Sequence, residues 1–150
     1  MTMDGIEVEV SVGESVVSPV AAERVEAVVR HVLRAEGVAE AELSVALLND
    51  TDIAAMNAEY LQHEGPTDAI TFALHEPGEP PLGDVYVGVE QAVRQAAEFG
   101  ATPEHEVLRL AVHGTLHVLG YEHPEGEERT GSEMFLRQEA LLGSFLAEEM

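Results

Sequence analysis

The sequence predicts one α+β domain, a small, mostly four-stranded mixed sheet packed with four to five helices. The chain has 150 residues, the usual size of a single domain, so residues 1–150 are assigned to one unit. Hydrophobic residues make up 45% of the chain, which is enough for a core. Apolar spacings of two, typical of strands, alternate along the chain with spacings of three or four, typical of helices.

The strands are predicted from short apolar runs bounded by turn residues. The first shows the clearest alternation, because Ile6, Val8, Val10 and Val12 are separated by polar residues. A segment rich in proline and glycine, residues 76–81, separates the last two strands. The four predicted strands cover residues 6–12, 43–48, 68–74 and 83–87.

The helices are predicted from apolar residues at helical spacing and from signals at their ends. Ser18 and Pro19 suit the N-cap and first position of a helix that Gly37 ends. Thr102 and Pro103 begin another helix in the same way. The predicted helices cover about residues 19–36, 52–60, 89–99, 103–119 and 129–146.

Composition excludes several classes of protein. The chain has no cysteine, so disulfides and thiolate metal sites are ruled out and any metal is held by His, Asp or Glu. The N-terminus lacks the basic and apolar regions of a signal peptide, and no stretch approaches the roughly 18 apolar residues of a membrane span. We therefore expect a cytoplasmic protein without a membrane partner.

The charge is strongly acidic, −22 at neutral pH, with 29 acidic residues against seven basic ones. All seven basic residues are arginine. Such self-repulsion is largely screened at about 1 M salt, which favours adaptation to a salty cytoplasm over an ordinary acidic protein. The chain as a whole lacks the basic footprint that is usual in nucleic-acid-binding proteins.

Three of the seven histidines fall within eleven residues, in the pattern H-x-x-x-H-x-x-G-x-x-H. His113 and His117 share one face of a predicted helix, about 5–6 Å apart at Cβ. Gly120 can adopt a left-handed conformation, end the helix and turn the chain back. His123 would then return to the same ion, which predicts a three-histidine metal site.

Neutral nitrogen ligands suit one zinc ion, although nickel, copper and iron also bind them. Three protein ligands leave one position open, which is typical of catalytic zinc and favours metal-assisted hydrolysis. A fourth protein ligand, with His105 and Asp84 as candidates, would make the site structural instead.

The spacing also matches the metzincin protease motif, H-E-x-x-H-x-x-G-x-x-H. That motif places a glutamate, the general base, directly after the first histidine. Here the position is Gly114, which cannot transfer a proton. Peptide hydrolysis is therefore disfavoured and a phosphodiester is the better substrate.

The segment H-G-T-L-H-V-L-G-Y-E-H, residues 113–123, resembles the signature of the YbeY family of endoribonucleases, with Glu122 in place of the usual aspartate. Residues 56–72, M-N-A-E-Y-L-Q-H-E-G-P-T-D-A-I-T-F, resemble the family's L-N-x-x-Y-R-x-x-D-x-P-T-D-V-L-S-F. The sequence L-G-D-V-Y at residues 82–86 agrees as well. The order and spacing of these segments make the resemblance specific.

The resemblance implies a metal-dependent, single-strand-specific endoribonuclease that matures the 3′ end of small-subunit ribosomal RNA and serves ribosome quality control. It implies zinc held by His113, His117 and His123, and an α+β fold that frames a groove leading to the metal. The implied partner is ribosomal RNA, and the ribosome or ribosomal proteins are implied as additional partners. The expected substrate-binding residues, with no general base assigned, are Arg109, His63, Asn57, Thr67 and Asp84.

Two features depart from the family. Many members carry an arginine after the tyrosine of the second segment, and here that position is Leu61, which cannot clamp a phosphate. His63 and Arg109, one helical turn before His113, are the candidates to replace it. The second departure is the acidic charge. Together they favour a second hypothesis, in which the protein is a non-catalytic, metal-stabilised ribosome-assembly factor. A third hypothesis is a metal-dependent hydrolase of another bond.

Overall fold

A computed structural model describes residues 5–121 and 132–149 of the chain. Within these ranges, no helix combines the length and apolar character needed to cross a membrane. The elements follow in the order β1 (Gly5–Val12), α1 (Ala22–Ala35), β2 (Glu40–Leu48), α2 (Asp50–Leu61), β3 (Ala69–Ala73), β4 (Leu82–Gly88), α3 (Val89–Phe99), α4 (Pro103–Val118) and α5 (Glu133–Glu148).

The four strands form one mixed sheet with the order β1-β2-β4-β3. β2 pairs in parallel with β1 and with β4, whereas β3 pairs antiparallel with β4. The inner face of the sheet packs with α1, α4 and α5 into one hydrophobic core. On the outer face, the Tyr60 ring of α2 meets the Phe72 ring of β3 with centroids 5.7 Å apart. The predicted α+β fold with a mixed four-stranded sheet is confirmed.

Helix α4 is the central helix, and it is buried around most of its circumference. Its core-facing residues include Leu108, Val112 and Leu116, all completely buried. The residues at positions 105, 109, 113 and 117 are only partly buried, and they are four apart. Residues at this spacing share one face, so α4 carries a single polar stripe that contains two of the predicted metal ligands.

Two glycines allow α4 to lie close against β4. A Cβ atom on Gly114 would overlap the Val85 side chain. A Cβ atom on Gly83 would lie 2.6 Å from the Phe72 carbonyl oxygen and 2.9 Å from the Val118 methyl groups. Because α4 packs directly on the sheet at these points, the position of its polar stripe relative to the sheet is fixed.

The predicted start of the first helix is wrong. α1 begins at Ala22, three residues after Pro19. Ser18 instead closes a local turn, because its hydroxyl accepts from the Val20 amide at 3.2 Å and donates to the Val20 carbonyl at 2.6 Å. The last helix begins at Glu133 with Ser132 as its N-cap, and the predicted start at Arg129 lies outside the described residues.

The exposed face of the sheet carries like charges on the neighbouring strands β1 and β2. Glu7 of β1 and Glu42 of β2 are exposed and lie opposite each other in register. Like charges in this position are destabilising. The repulsion predicted from composition therefore has a definite location.

We expect Glu42→Gln to raise the free energy of unfolding by about 0.2–1 kcal/mol at low salt, because it removes this repulsion. At about 1 M NaCl the Debye length falls to about 3 Å, so the gain should shrink. Urea unfolding at the two salt concentrations measures both values. Glu98→Gln, at an exposed position of α3, is the control. A gain that does not depend on salt would contradict the electrostatic explanation.

Candidate metal centre

The imidazoles of His113 and His117 meet edge to face on the polar stripe of α4. Their Nε2 atoms lie 3.1 Å apart. The ring centroids are 4.6 Å apart and the ring planes cross at 83°. The predicted spacing of four residues therefore brings the same nitrogen of both rings into one small space.

The remaining nitrogen of each ring faces an oxygen atom. His117 Nδ1 lies 3.0 Å from the Tyr121 backbone oxygen, which can only accept, so this nitrogen carries the proton. His113 Nδ1 lies 2.7 Å from Oε1 of Gln138. The Gln138 amide nitrogen donates to Glu139 at 3.0 Å, which fixes the amide orientation and makes His113 Nδ1 a donor as well.

This arrangement suits a shared metal ion. With both Nδ1 atoms protonated, the two neutral rings direct their Nε2 lone pairs toward one another, and a cation between them removes the repulsion. Two nitrogen ligands at about 2.0–2.1 Å from a tetrahedral zinc ion are separated by about 3.3 Å. The observed 3.1 Å is close to this value. The donor set therefore fits zinc or a similar borderline metal.

The third predicted ligand, His123, lies outside the described residues, as does Glu122. Among residues 5–121 and 132–149, no group of three His, Asp or Glu side chains is placed to hold one ion. Neither His105 nor Asp84, the two candidates for a fourth ligand, thus completes a cluster with the histidine pair.

The turn at Gly120 ends α4 and brings Tyr121 back against the last turn of the helix. Gly120 adopts a φ of +103°, a conformation that favours glycine. The Tyr121 amide then donates to the Leu116 carbonyl at 3.0 Å, and the Gly120 amide to that of His117. The Tyr121 hydroxyl donates to Glu36 at 2.5 Å. This hydrogen bond, together with burial and the charge of Glu36, raises the pKa of Tyr121.

A cavity of about 430 Å³ opens beside His113, between α3, α4 and α5. Its walls combine Phe99 and Phe135 with the polar residues Asp68 and Gln138. Phe99 is 71% exposed, so one aromatic face of the cavity is open to solvent. The sequence did not reveal this cavity, because its walls come from elements that are distant along the chain.

Arg109 lines the same cavity, but its guanidinium is engaged by carboxylates. Nε donates to Glu139 at 2.9 Å, and Nη1 donates to Glu106 at 2.6 Å. Partial burial acts against its charge, yet the hydrogen bonds to Glu139 and Glu106 outweigh burial and raise the pKa of Arg109. Its expected contact with substrate stays a prediction.

Three further expected substrate-binding residues lie on α2 and in the loop that follows it. Asn57 is only 5% exposed, and its amide donates to the Gly65 carbonyl at 2.9 Å, so it holds the loop against the helix. His63 is exposed in that loop. Thr67 is partly buried, with its hydroxyl 3.5 Å from Asp68. The substrate roles of these residues stay predictions, and for Asn57 the structure favours an indirect one.

Asp84 lies on the other face of the sheet from α4. Its neighbours Gly83 and Val85 contact that helix, and side chains alternate between faces along a strand. Asp84 accepts a hydrogen bond from Ser44 at 2.6 Å on the outer face. Burial, followed by the charge of Asp84, raises the pKa of the nearby Tyr86. This placement argues against direct contact between Asp84 and an ion bound by His113.

The cations expected in an RNA groove are mostly neutralised within the protein. Leu61, at the family's arginine position, is 44% exposed. Of the six arginines in the described part of the chain, at least five pair with carboxylates: Arg24, Arg30, Arg94, Arg109 and Arg137. The acidic composition thus extends to the neighbourhood of the metal centre.

Comparison with known proteins identifies the family. The family model described as "Endoribonuclease YbeY" matches residues 10–146. A Bacillus licheniformis protein of that name is 42% identical over 122 residues, covering 73% of this chain and 76% of its own length. One from Geobacillus kaustophilus is 40% identical over 142 residues, covering 84% and 89%.

A solved structure agrees with these relatives. The solution structure of a Thermotoga maritima protein superposes with a TM-score of 0.65 at 25% identity, covering 95% of this chain and 90% of that one. The family match includes β2, β3, β4, the end of β1, the central helix α4 and the histidine pair that it carries. The chain therefore belongs to the YbeY family of endoribonucleases, which are hydrolases that act on RNA.

Proposed function

We propose that this protein is a zinc-dependent, single-strand-specific endoribonuclease that matures the 3′ end of small-subunit ribosomal RNA and acts in ribosome quality control. The observation that carries the proposal is the pair of Nε2 atoms 3.1 Å apart, each on a ring whose Nδ1 faces an oxygen atom. Membership of an endoribonuclease family supplies the reaction class. The proposed compartment is the cytoplasm.

His113, His117 and His123 would hold one ion. The ion would supply Lewis acidity and charge stabilisation at the scissile phosphate. Gln138 and the Tyr121 carbonyl keep the two described rings in the Nδ1-protonated tautomer. Gly114 contributes no proton transfer, because its position faces Val85 in the sheet.

The cavity beside His113 is the proposed site for a nucleotide next to the cleaved bond. Its aromatic walls, Phe99 and Phe135, offer surfaces on which bases can stack. A base that stacks there must be unpaired, which supports specificity for single strands. Thr67 and His63, on the loop that leads to the cavity residue Asp68, are the proposed contacts for the adjoining strand.

The paired arginines favour a second candidate, a non-catalytic ribosome-assembly factor. Phosphate contacts usually dominate affinity for nucleic acids, and at least five of the six described arginines already pair with carboxylates. Under the leading proposal, the metal and a ribosomal partner compensate for this. Under the second candidate, RNA is bound in an assembly and is not cut.

Metal removal and restoration test the proposal. Purified protein is stripped with a chelator, reloaded with zinc, nickel or manganese, and incubated with single-stranded and duplex fragments of small-subunit ribosomal RNA, at low and high salt. We expect cleavage of the single strand alone, lost on stripping and restored by zinc. Because few cations are available for phosphate contacts, we expect a weak dependence on salt.

Other outcomes separate the alternatives. RNA binding without cleavage in the zinc-loaded protein would support the assembly factor. Chelator-sensitive turnover of casein would support a hydrolase of another bond. Cleavage that survives complete removal of metal would contradict the metal-dependent proposal.

A further inference from the structure

Helix α5 reaches His113 through a chain of hydrogen bonds. Gln138 Oε1 lies 2.7 Å from His113 Nδ1, and the Gln138 amide nitrogen donates to Glu139 at 3.0 Å. Glu139 accepts in turn from Arg109, whose other contact is Glu106. Each side chain in this series of hydrogen bonds is therefore assigned as a donor or an acceptor. Because Glu139 is negatively charged, it accepts from the Gln138 amide nitrogen, and the Gln138 oxygen is left to accept from His113 Nδ1.

A second chain of contacts runs from α5 to His117. Arg137 Nε donates to Glu36 at 2.7 Å, and the other oxygen of Glu36 accepts from the Tyr121 hydroxyl at 2.5 Å. The Tyr121 backbone oxygen faces His117 Nδ1 at 3.0 Å. Arg137 thus anchors, through Glu36, the residue whose carbonyl orients the second histidine.

The first chain of contacts is sheltered from water at Gln138 and Glu106, whereas the Arg137 side chain that begins the second is 38% exposed. Gln138 is 5% exposed and Glu106 is 3% exposed. Burying a carboxylate is costly unless it is paired and hydrogen-bonded. Gln95 and Arg109 donate hydrogen bonds to the Glu106 carboxylate, at 3.1 and 2.6 Å. Such contacts are strong where water is excluded, so they can hold a side chain in one orientation.

We propose that α5 positions the two histidines toward one metal ion, with Gln138, Glu139 and Arg109 setting His113, and with Arg137, Glu36 and Tyr121 setting His117. This inference rests on the metal site proposed above. It gives two of the scarce arginines a role other than RNA binding. Arg109 and Gln138 are positioning residues here, because each acts on the ion through a histidine.

Zinc affinity tests the proposal without reference to activity. Gln138→Met keeps the length of the side chain and removes the oxygen that faces His113. Partners that orient a metal-binding histidine typically contribute 10–100-fold in affinity. We expect Gln138→Met to weaken zinc binding by about that factor, measured in competition with a chromophoric chelator. Arg137→Met should lose about tenfold, the lower end of the range, because it acts through two further residues.

Three comparisons sharpen the test. Gln138→Glu keeps an acceptor toward His113 and should bind zinc more tightly than Gln138→Met. Glu98→Gln, at an exposed position of α3 that belongs to neither chain of contacts, should match the wild type. Because the two chains of contacts end on different histidines, the losses in the Gln138→Met/Arg137→Met double variant should add.

The ring tautomers provide a readout that does not require any variant to fold. In ¹⁵N-labelled metal-free wild-type protein at pH 8, we expect both His113 and His117 in the Nδ1-protonated form. An Nε2-protonated form of either ring would overturn the proposal. So would wild-type zinc affinity in both Gln138→Met and Arg137→Met. If His113→Ala and the wild type bind zinc equally, the proposed metal site itself fails, and this inference fails with it.

Discussion

Replacement of His117 by alanine is expected to lower RNA cleavage at least about 100-fold and to abolish tight zinc binding. The structure gives the reason: His117 supplies one of two Nε2 atoms that converge within 3.1 Å. Residues that merely orient a metal ligand already contribute 10–100-fold, so loss of the ligand itself should exceed that range. Single-turnover cleavage of a single-stranded ribosomal RNA fragment and metal analysis of the purified variant measure the two effects.

His31→Ala is the matched control for this variant. His31 is also a helical histidine, but it lies on α1 and contacts Ser144 and Glu148 on the far part of α5. We expect it to leave zinc content and cleavage unchanged. If cleavage persists in His117→Ala at the wild-type rate, the activity comes from another nuclease or from another site, and the proposed mechanism is wrong.

Replacement of Gly114 by glutamate, the residue that the metzincin motif has after its first histidine, is expected to prevent folding. A Cβ atom at this position already overlaps Val85, and the longer side chain would place a carboxylate in the core. Overpacking costs about 1–3 kcal/mol, and an unpaired buried charge adds several more. Since domains are stable by about 5–15 kcal/mol, little or no native protein should remain.

Gly114→Ala gives a graded test that does not require complete unfolding. Helix propensity alone favours alanine by about 1 kcal/mol, whereas overpacking costs about 1–3 kcal/mol, so we expect a net loss of up to about 2 kcal/mol. Gly143→Ala in α5 is the matched control, because a Cβ atom there has no neighbour within 4 Å and should gain up to about 1 kcal/mol. Urea unfolding measures both. Stabilisation by Gly114→Ala would contradict the close contact between α4 and β4.

The sequence was most informative where the pattern is local. Helical spacing in α1 predicted its buried face, and alternation in β1 predicted the burial of Ile6 and Val8, because these periods follow from backbone geometry. The alternation did not hold to the end of β1, where Val10 is only partly buried and Val12 is 42% exposed.

The helix start predicted at Ser18 and Pro19 was wrong, because the same residue types that begin a helix also form turns. Only the burial of Val20 decides between the two conformations.

The histidine pair of the candidate metal centre was predictable to the same extent. A spacing of four residues on a helix brings His113 and His117 together, and Gly120 ends the helix in a left-handed conformation as expected. The residues that orient the rings could not be found in this way. Gln138 is 25 residues from His113, and Glu36 is 85 residues from Tyr121, so only the packing of α1, α4 and α5 brings them together.

The sequence predicted correctly that Gly114 is not a general base, but it gave only part of the reason. The sequence shows that the position lacks a general base. The structure adds that the position faces the sheet rather than the ion, so no side chain could act as a base from there without displacing α4. The difference from the protease motif therefore reflects helix–sheet packing as well as chemistry.

The central claim, a metal centre built on the histidine pair of α4, is tested most directly by anomalous diffraction from crystals of the zinc-loaded protein. We predict one ion bound by Nε2 of His113, Nε2 of His117 and by His123, with its remaining position not filled by a protein side chain. An ion with four protein ligands would make the centre structural. Zinc-loaded crystals without an anomalous peak between the two Nε2 atoms would contradict the account.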